Sequence, residues 1–315
     1  MHAHLLRNDA SPRRERRFRL VFLLVIEAAI IAITVIATAT SPTHAESIKP
    51  GMAPIDTEHL FGFVEGADIG DKGERELVID SSVRAGRSTG SFANTASELE
   101  LKYTAFENFR ISAAAALAYY DIAGVTGIDN ARRAAIQSLF FDARFRLLDR
   151  NRAPFGLTIS AAPHWGFVDE TSGVRTGHYG TEIQLLVDRE LKPDRLVGAI
   201  NLLFANDRAR LLVSDGVQRE SLAGAGAALA AQIMLGLWLG GEARYLRDYS
   251  GSALNVFAGQ ALYIGPTLHA RLSGNAFVSA AWNFQIWGGA IAAPGALDLA
   301  NFERHQVKLR FGLEF

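Results

Sequence analysis

The sequence predicts an all-β protein whose chain forms a transmembrane, antiparallel, up-and-down β-barrel of about 12 strands. Three observations lead to this prediction. The chain ends on a segment with one apolar and one charged face, similar alternating segments recur through residues 74–315, and the connections between them alternate between short and long. Apolar residues make up 49% of the 315 residues and charged residues 21%, a composition that gives no sign of disorder.

The last segment of the chain is the clearest candidate strand. From His305 onward the odd positions are His or apolar, and the even positions are polar, charged or Gly. Side chains alternate between the two faces of a strand, so these faces would differ in polarity. A terminal Phe on such a strand, behind an export signal, looks like the closing strand of a bacterial outer-membrane barrel. We expect Phe311, Leu313 and Phe315 to form the assembly signal read by the barrel-assembly machinery.

Residues 1–45 have the pattern of a cleaved signal peptide. Arg13–Arg19 is basic, Leu20–Ala39 is apolar apart from Glu27, and Ala45 is a small residue suited to cleavage. The apolar run is also long enough to span a bilayer as an uncleaved anchor. Glu27 disfavours that alternative, because a central acid costs about 2.5–3.5 kcal/mol when the Asp value is taken as a guide.

The chain after the signal peptide divides into two parts. Residues 46–73 contain several Pro and Gly and are expected to form a periplasmic N-terminal segment, in which His59–Val64 pairs briefly as a strand. Residues 74–315 are expected to form the outer-membrane barrel.

Twelve segments with apolar residues at every second position predict the strands of this barrel. Each spans about 12–15 residues, which exceeds the five or six of a typical soluble strand and covers the roughly 9–11 needed to cross a bilayer at a tilt. The predicted strands are about 74–86, 95–106, 108–121, 135–149, 154–168, 177–190, 195–207, 220–234, 236–248, 256–270, 275–288 and 302–315.

The predicted connections sort into two classes along the chain. Transmembrane barrels have tight periplasmic turns and longer outer loops. In a soluble barrel or sandwich, no physical constraint makes short and long connections alternate. The short connections are 107, 150–153, 191–194, 235 and 271–274, and the long ones are 87–94, 122–134, 169–176, 207–219, 249–255 and 289–301.

One stretch allows a different interpretation. Leu222–Gly241 is nearly free of charge and is 20 residues long, so it could form a transmembrane helix. Most of it is Ala and Gly, which insert weakly and, in the case of Gly, form helices poorly. Two strands are therefore the preferred prediction.

Charged residues of both signs fall on the face of the predicted strands that points away from the apolar side chains. Such a face would be costly in a dry core but suits a water-filled lumen or a lumen closed by ion pairs. Both alternatives stay open at this point. The predicted lumen-lining residues, which would form any solute path, are Glu98, Glu100, Lys102, Arg110, Asp142, Arg144, Arg146, Glu182, Asp188, Glu242, Arg244, Lys308 and Arg310.

The sequence gives little sign of catalytic chemistry. It contains no Cys, which excludes thiolate catalysis and Cys-ligated zinc. Beyond residue 45 it holds 26 basic and 30 acidic residues, so no basic surplus favours nucleic acid. Gly86–Gly90 matches a nucleophile-elbow pattern but lies in a strand-to-strand connection. We expect no enzyme activity, catalytic residue, metal or cofactor.

Two histidines offer an alternative to the expectation that the protein has no metal or catalytic residue. His164 and His178 would face each other across the fifth-to-sixth hairpin, which could form a metal site or a phospholipase-like cluster. The preferred interpretation is that they are polar residues pointing into the barrel near its mouth.

The chain resembles an uncharacterised group of proteobacterial outer-membrane β-barrel proteins. The residues that carry the resemblance are Glu58-His59-Leu60-Phe61-Gly62-Phe63, Glu107-Asn108-Phe109-Arg110 and Arg146-Leu147-Leu148-Asp149-Arg150. The resemblance implies a location in the Gram-negative outer membrane, in contact with its lipid, and the barrel fold. The function expected first is a porin-like channel or uptake pore for a small solute. The alternatives are a structural or surface-binding barrel with a closed lumen and, ranked below it, a barrel lipid hydrolase.

Overall fold

The described residues form twelve β-strands. The computed structural model describes residues 55–211, 216–293 and 295–315, so the predicted signal peptide lies outside the described residues. The strands are β1 (Arg75–Ala85), β2 (Ser91–Phe106), β3 (Phe109–Ala123), β4 (Ala131–Leu148), β5 (Gly156–Val168), β6 (Arg175–Lys192), β7 (Leu196–Leu211), β8 (Val217–Met234), β9 (Leu237–Ser250), β10 (Val256–Arg271), β11 (Ala276–Ala290) and β12 (His305–Glu314).

Each strand pairs antiparallel with the strands before and after it, and β1 pairs with β12 to close the barrel. The closing register places Asp80 of β1 opposite Arg310 of β12 on one side and opposite Glu98 of β2 on the other. The predicted fold class is thereby confirmed. β8 and β9 occupy the stretch that could have been a helix, and no helix among the described residues has the length and apolarity to cross a membrane.

The strands extend further at one end of the barrel than the sequence predicted. β4 begins at Ala131, where Arg132 and Arg133 pair with Asp121 and Tyr120 of β3. Backbone pairing continues after the apolar alternation has stopped, because polar side chains do not interrupt a ladder. The connections at the end predicted to have short turns, here called the short-turn end, are 107–108, 149–155, 193–195, 235–236 and 272–275. Those at the opposite end, here called the long-loop end, are 86–90, 124–130, 169–174, 212–216, 251–255 and 291–304. The predicted alternation of lengths is only partly kept, because 149–155 is longer than 86–90, 212–216 and 251–255.

The two faces of the barrel wall differ as the alternation predicted. On β2, Leu99 and Leu101 are 53% and 54% exposed on the outside, whereas Lys102 is 3% exposed on the inside. Phe141 and Phe145 of β4 are likewise on the outside. An apolar belt of this extent would be a liability in water and is the normal surface of a barrel in a bilayer.

The N-terminal segment differs from its prediction. His59–Val64 is irregular rather than a strand, and the segment does not lie apart from the barrel, because Leu60 and Phe61 are 1% and 0% exposed inside it. The physical reason is that the closed sheet offers no free edge for another strand, since β1 already pairs with β2 and β12. The chain instead folds into the lumen.

Candidate functional site

A loop of the N-terminal segment occupies the lumen from the short-turn end. Its two ends meet where the Thr57 backbone N–H donates a hydrogen bond to Asp68 Oδ2 (3.0 Å). Its tip is Phe63, which reaches Arg244 in the middle of β9. We call residues 57–68 the lumen loop. It has the form of an Ω-loop, in which the ends are close and the residues between them pack together.

Asp188 of β6 holds the base of the lumen loop. Its carboxylate accepts hydrogen bonds from the Thr57 hydroxyl and from the Ala67 backbone N–H (2.9 Å). Arg150, in the turn after β4, lies 3.0 Å from the Asp188 carboxylate and 2.6 Å from that of Asp68. Burial raises the pKa of Asp68 to about 7, although the charge of Arg150 acts in the opposite direction. Both ends of the loop are therefore tied to one acid–arginine cluster.

Glu58 brings a carboxylate to three cations of the inner wall. It lies 2.7 Å from Lys102 Nζ and 3.6 Å from Arg144 Nη1, and it accepts a hydrogen bond from Arg110. Burial raises the pKa of Glu58, but the positive charges of Arg110 and Lys102 outweigh it and hold the pKa well below its usual range. Glu58 thus stays ionised inside the barrel, and this part of the loop is held by charge.

His59 extends the same cluster across the lumen. Its Nε2 lies 2.9 Å from Glu76 Oε1 on β1, and its Nδ1 lies 3.0 Å from Arg310 Nη1 on β12. The imidazole ring stacks on Phe277 with ring centroids 4.6 Å apart. The loop is therefore attached to the strands that close the barrel as well as to β2 and β3.

Glu65, after the tip of the loop, binds cations of the inner wall as Glu58 does before it. Its carboxylate lies 2.6 Å from Arg144 and 3.2 Å from Arg310. Burial raises the pKa of Glu65, but Arg144 and Arg310 together lower it far below the ordinary value. The Glu65 backbone N–H donates to Asn201 Oδ1 (2.7 Å), and Asn201 Nδ2 donates to the Glu65 carbonyl (2.8 Å).

Glu242 of β9 binds the tip of the lumen loop through its backbone. Its carboxylate accepts hydrogen bonds from the N–H groups of Gly62, Phe63 and Val64, at 3.0–3.3 Å. Successive N–H groups of this kind form an anion-binding concavity. A Cβ at residue 62 would overlap Ala281 of the wall, so Gly is needed for the backbone to come this close.

Apolar contacts complete the seat of the loop. Small inward-facing residues on β7 and β8 leave space for the larger side chains of the loop, which are fully buried. At the tip of the loop, the ring of Phe63 lies against two cations. Its centroid is 4.0 Å from Arg244 Cζ and 5.1 Å from Lys308 Nζ. The apolar cluster is Leu60, Phe61, Val64, Val197, Ala199, Ala228, Ala230 and Trp238.

The connection 291–304 folds over the long-loop end of the lumen. Asp298 is 0% exposed, and its carbonyl accepts a hydrogen bond from Gln285 Nε2 (3.0 Å). Glu303 pairs with Arg87 (2.6 Å), and its carbonyl accepts a hydrogen bond from the Tyr263 hydroxyl. Different parts of the chain therefore pack inside the barrel at its two ends.

A small cavity of about 50 Å³ remains beside the tip of the lumen loop. It is bordered by three polar side chains, those of Gln184, Asn201 and Arg244, and otherwise by apolar residues and glycines. The three polar groups can hold water, and the volume fits a few water molecules rather than a larger solute.

Residues 53–315 match the family described as DUF6662, a family of unknown function. The chain belongs to the DUF6662 family. This agrees with the resemblance to an uncharacterised group of outer-membrane barrels. Among curated proteins, none has a significantly similar sequence.

Solved structures similar to this DUF6662 protein are outer-membrane barrels. The COG4313 outer membrane channel from Pseudomonas putida F1 has a TM-score of 0.55 at 11% identity, over 80% of this chain and 100% of that one. The translocator domain of the autotransporter NalP from Neisseria meningitidis has a TM-score of 0.51 at 14% identity, over 79% and 90% of the two chains. The β domain of the Bordetella autotransporter BrkA has a TM-score of 0.51 at 12% identity, over 78% and 100%. At these identities the likeness shows the fold.

The structure places all thirteen predicted lumen residues of the DUF6662 chain on the inner face and joins eight of them to the lumen loop. Lys102, Arg110, Arg144, Asp188, Glu242, Arg244, Lys308 and Arg310 contact it directly. The others bind neighbours on the wall or at its rim: Asp142 pairs with Arg144 (2.7 Å), and Arg146 donates to the Glu107 carbonyl. Glu98, Glu100 and Glu182 lie among the inward-facing positions. Their role in a solute path stays a prediction.

Sequence reasoning missed the residues of the lumen loop that hold it in place. Glu58, His59 and Glu65 were not singled out as functional, because the segment lacks the alternation that marks a strand. One signal in the sequence could have identified the loop. An apolar stretch that contains Gly62 lies between Glu58 and Glu65, and the strands that follow carry many inward-facing Arg residues.

His164 and His178 lie where the sequence placed them, on neighbouring strands and facing the lumen. Their ring centroids are 5.9 Å apart, and both side chains are largely buried. They lie nearer the long-loop end than the lumen loop does, and they are considered separately below.

Proposed function

We propose that this DUF6662 protein is a channel of the bacterial outer membrane that passes a small solute when the lumen loop leaves its seat. The twelve-stranded barrel with its apolar outer face supports the membrane location. In this orientation the short-turn end faces the periplasm. The likeness to a solved outer-membrane channel supports a channel at the level of the fold.

The observation that carries the proposal is how the lumen loop is held. The loop is bound through ion pairs and through hydrogen bonds from its backbone, such as those of Glu58 with Lys102 and of Val64 with Glu242. Water can replace each of these partners, because the wall groups are charged or polar and would be solvated in an open lumen. The charged and polar part of the wall therefore suits a closed state and an open one.

A second candidate is a barrel whose lumen stays closed and whose outer loops serve structure or surface binding. The complete burial of Phe61 and Thr57 favours it, as does the packing of 291–304 over the long-loop end. A barrel lipid hydrolase has no observation in its favour among the described residues, and we do not propose it.

Planar-bilayer recordings of the mature chain and of a variant lacking residues 57–68 test the proposal. The deletion joins two chain ends that already lie close together. We expect rare, brief openings for the wild type and steady, discrete conductance for the deletion variant. The matched control is Arg152→Ala, at a side chain that is 82% exposed, which should behave as the wild type.

A heat-modifiability gel must show that each variant is a folded barrel. If a folded deletion variant remains silent even after residues 295–301 are also removed, the channel is contradicted and the closed-lumen alternative is favoured.

A further inference from the structure

Three potential metal ligands meet in the lumen on three neighbouring strands. His164 of β5, His178 of β6 and Asp207 of β7 face inward at adjacent positions of the sheet. His164 Nε2 lies 2.8 Å from Asp207 Oδ1. One ligand atom from each of the three residues lies within 4.8 Å of the other two. Sequence reasoning considered the two histidines but not Asp207, and it ranked a metal site below a purely polar role.

Two glycines make room for this cluster. A Cβ at Gly166 would overlap only the ring of His178. A Cβ at Gly180 would overlap the Asp207 carboxylate and lie 2.7 Å from His164 Cε1, but it would also overlap the backbone carbonyl of Asn206. Gly180 is therefore needed by the backbone of the sheet as well, whereas the absence of a side chain at Gly166 serves the packing of His178 against the wall.

The ligand set suits a borderline divalent transition metal. Two imidazole nitrogens and one carboxylate oxygen are preferred donors of Zn²⁺, and sites with three protein ligands keep a fourth position open. His164 and His178 are 8% and 9% exposed, whereas the Asp207 side chain is 37% exposed. An ion could therefore enter from the lumen on the Asp207 side and be held by two buried imidazoles.

A second cluster with metal-ligand residues behaves differently. Glu58, His59 and Glu76 also bring their ligand atoms together. The Lys102 ammonium lies 2.7 Å from Glu58 and 3.2 Å from Glu76, so a protein cation already occupies the position that a metal ion would take. That cluster belongs to the seat of the lumen loop.

We propose that His164, His178 and Asp207 form a binding site for a divalent transition-metal ion of the Zn²⁺ class, on the lumen wall between the lumen loop and the long-loop end. Ligand atoms around a tetrahedral Zn²⁺ lie about 3.3 Å apart. The 2.8 Å separation of His164 and Asp207 must therefore widen slightly when the ion replaces the shared proton. The site does not depend on whether the barrel conducts.

Metal titration of the full mature chain in detergent tests this site. The protein is purified with a tag free of histidine, and Zn²⁺ binding is followed by calorimetry and Co²⁺ binding by its visible absorption. We expect one ion per chain and the intense bands of a tetrahedral Co²⁺ site. His164→Ala, His178→Ala and Asp207→Asn should each weaken binding by at least about 10- to 100-fold. His305→Ala, at the start of β12, a strand that does not pair with β5, β6 or β7, should bind as the wild type does.

Two glycine substitutions distinguish metal binding at this site from metal binding by residues elsewhere on the surface. Gly166→Ala keeps all three ligands but puts a methyl group into the space of the His178 ring, so it should abolish or strongly weaken binding. Gly177→Ala lies on β6 next to His178, where a Cβ meets nothing within 4 Å, and should leave binding intact. A folded wild type that binds neither ion, or binding that survives all three ligand substitutions, would overturn the proposal.

Discussion

Close approach of the loop backbone to Glu242 depends on Gly62. The carboxylate of Glu242 takes three successive N–H groups at the loop tip, and this is geometrically feasible because residue 62 has no side chain. A methyl group there would overlap Ala281 and crowd Glu242. The glycine is thus a requirement of the docked loop and not of the barrel.

We predict that Gly62→Ala shifts the lumen loop toward its undocked state. Overpacking costs about 1–3 kcal/mol, which corresponds to roughly 5- to 150-fold in the ratio of docked to undocked loop. The fraction of time that single channels spend open in bilayer recordings measures this shift. Gly274→Ala is the matched control, because a Cβ there meets nothing within 4 Å. Equal open fractions for the two folded variants would contradict the prediction.

The inward charges could be predicted residue by residue, but their partners could not. The period of 2 places Lys102, Arg110 and Arg144 on the inner face, because the alternation is a local property of a strand. Their shared partner Glu58 comes from an irregular loop distant in sequence, at 44 positions from Lys102. No local pattern encodes such a pairing, which is decided by the three-dimensional path of the chain.

At the scale of elements, the Ala and Gly content of β8 and β9 indicates both that they are strands and that a further segment packs inside them. The richness of Leu222–Gly241 in Ala and Gly argued against a membrane helix, and the structure confirms two strands there. The inward members of this set, such as Ala228 and Ala230, also provide space for Leu60 and Phe61 of the lumen loop. A wall of small residues on one side of a barrel is therefore a signal of an inserted segment, because packed interiors leave few voids.

The closing strand leads to a prediction about assembly. We propose that the barrel-assembly machinery reads the end of β12, where Phe315 is 64% exposed and its backbone N–H and carbonyl pair with Arg75. Phe315→Ala removes the aromatic ring but keeps these backbone hydrogen bonds. It should therefore lower the yield of folded barrel in the outer membrane while leaving the heat stability of the assembled barrel unchanged.

Phe106 offers a matched control for that experiment. It is also 64% exposed and ends β2 at the same end of the barrel. Gel shift of the membrane fraction gives the yield, and the temperature at which the shift is lost gives the stability. If Phe106→Ala and Phe315→Ala reduce the yield equally, the ring acts as an ordinary lipid-facing aromatic and not as a signal.

At the scale of the whole molecule, two segments that are held by different kinds of bonds pack inside the barrel from its two ends. The lumen loop is held through carboxylates that meet Arg and Lys, as in the pair of Glu65 and Arg144 (2.6 Å). The connection 291–304 is held through backbone carbonyls, as in the hydrogen bond from Gln285 to Asp298, and through one carboxylate, that of Glu303, which pairs with Arg87 (2.6 Å). Protonation should therefore act more strongly on the lumen loop, which presents two such carboxylates, those of Glu58 and Glu65.

Acidification is predicted to release the lumen loop. Burial raises the pKa of Glu58 and Glu65, but the surrounding Arg and Lys outweigh burial and lower both pKa values in the docked loop. Groups of this kind favour docking in full above their free pKa of 4.5, and that contribution is lost progressively as the pH falls from this value toward their lower docked pKa. Asp68 acts in the opposite sense, because burial raises its docked pKa to about 7 from a free value of 3.8. The loss of docking should therefore begin only below about pH 4.5.

Bilayer recordings from neutral pH to about pH 3 measure this effect as the open fraction of single channels. The open fraction of the wild type should rise steeply in the acid range, whereas the variant lacking residues 57–68 should conduct equally throughout. That variant controls for acids of the wall such as Glu242 and Asp188, which titrate in both proteins. The double variant Glu58→Gln/Glu65→Gln should be more open at neutral pH and less sensitive to acid, because neutral amides bind Arg144 and Arg110 more weakly than carboxylates do. An unchanging wild-type open fraction would show that charge does not hold the loop.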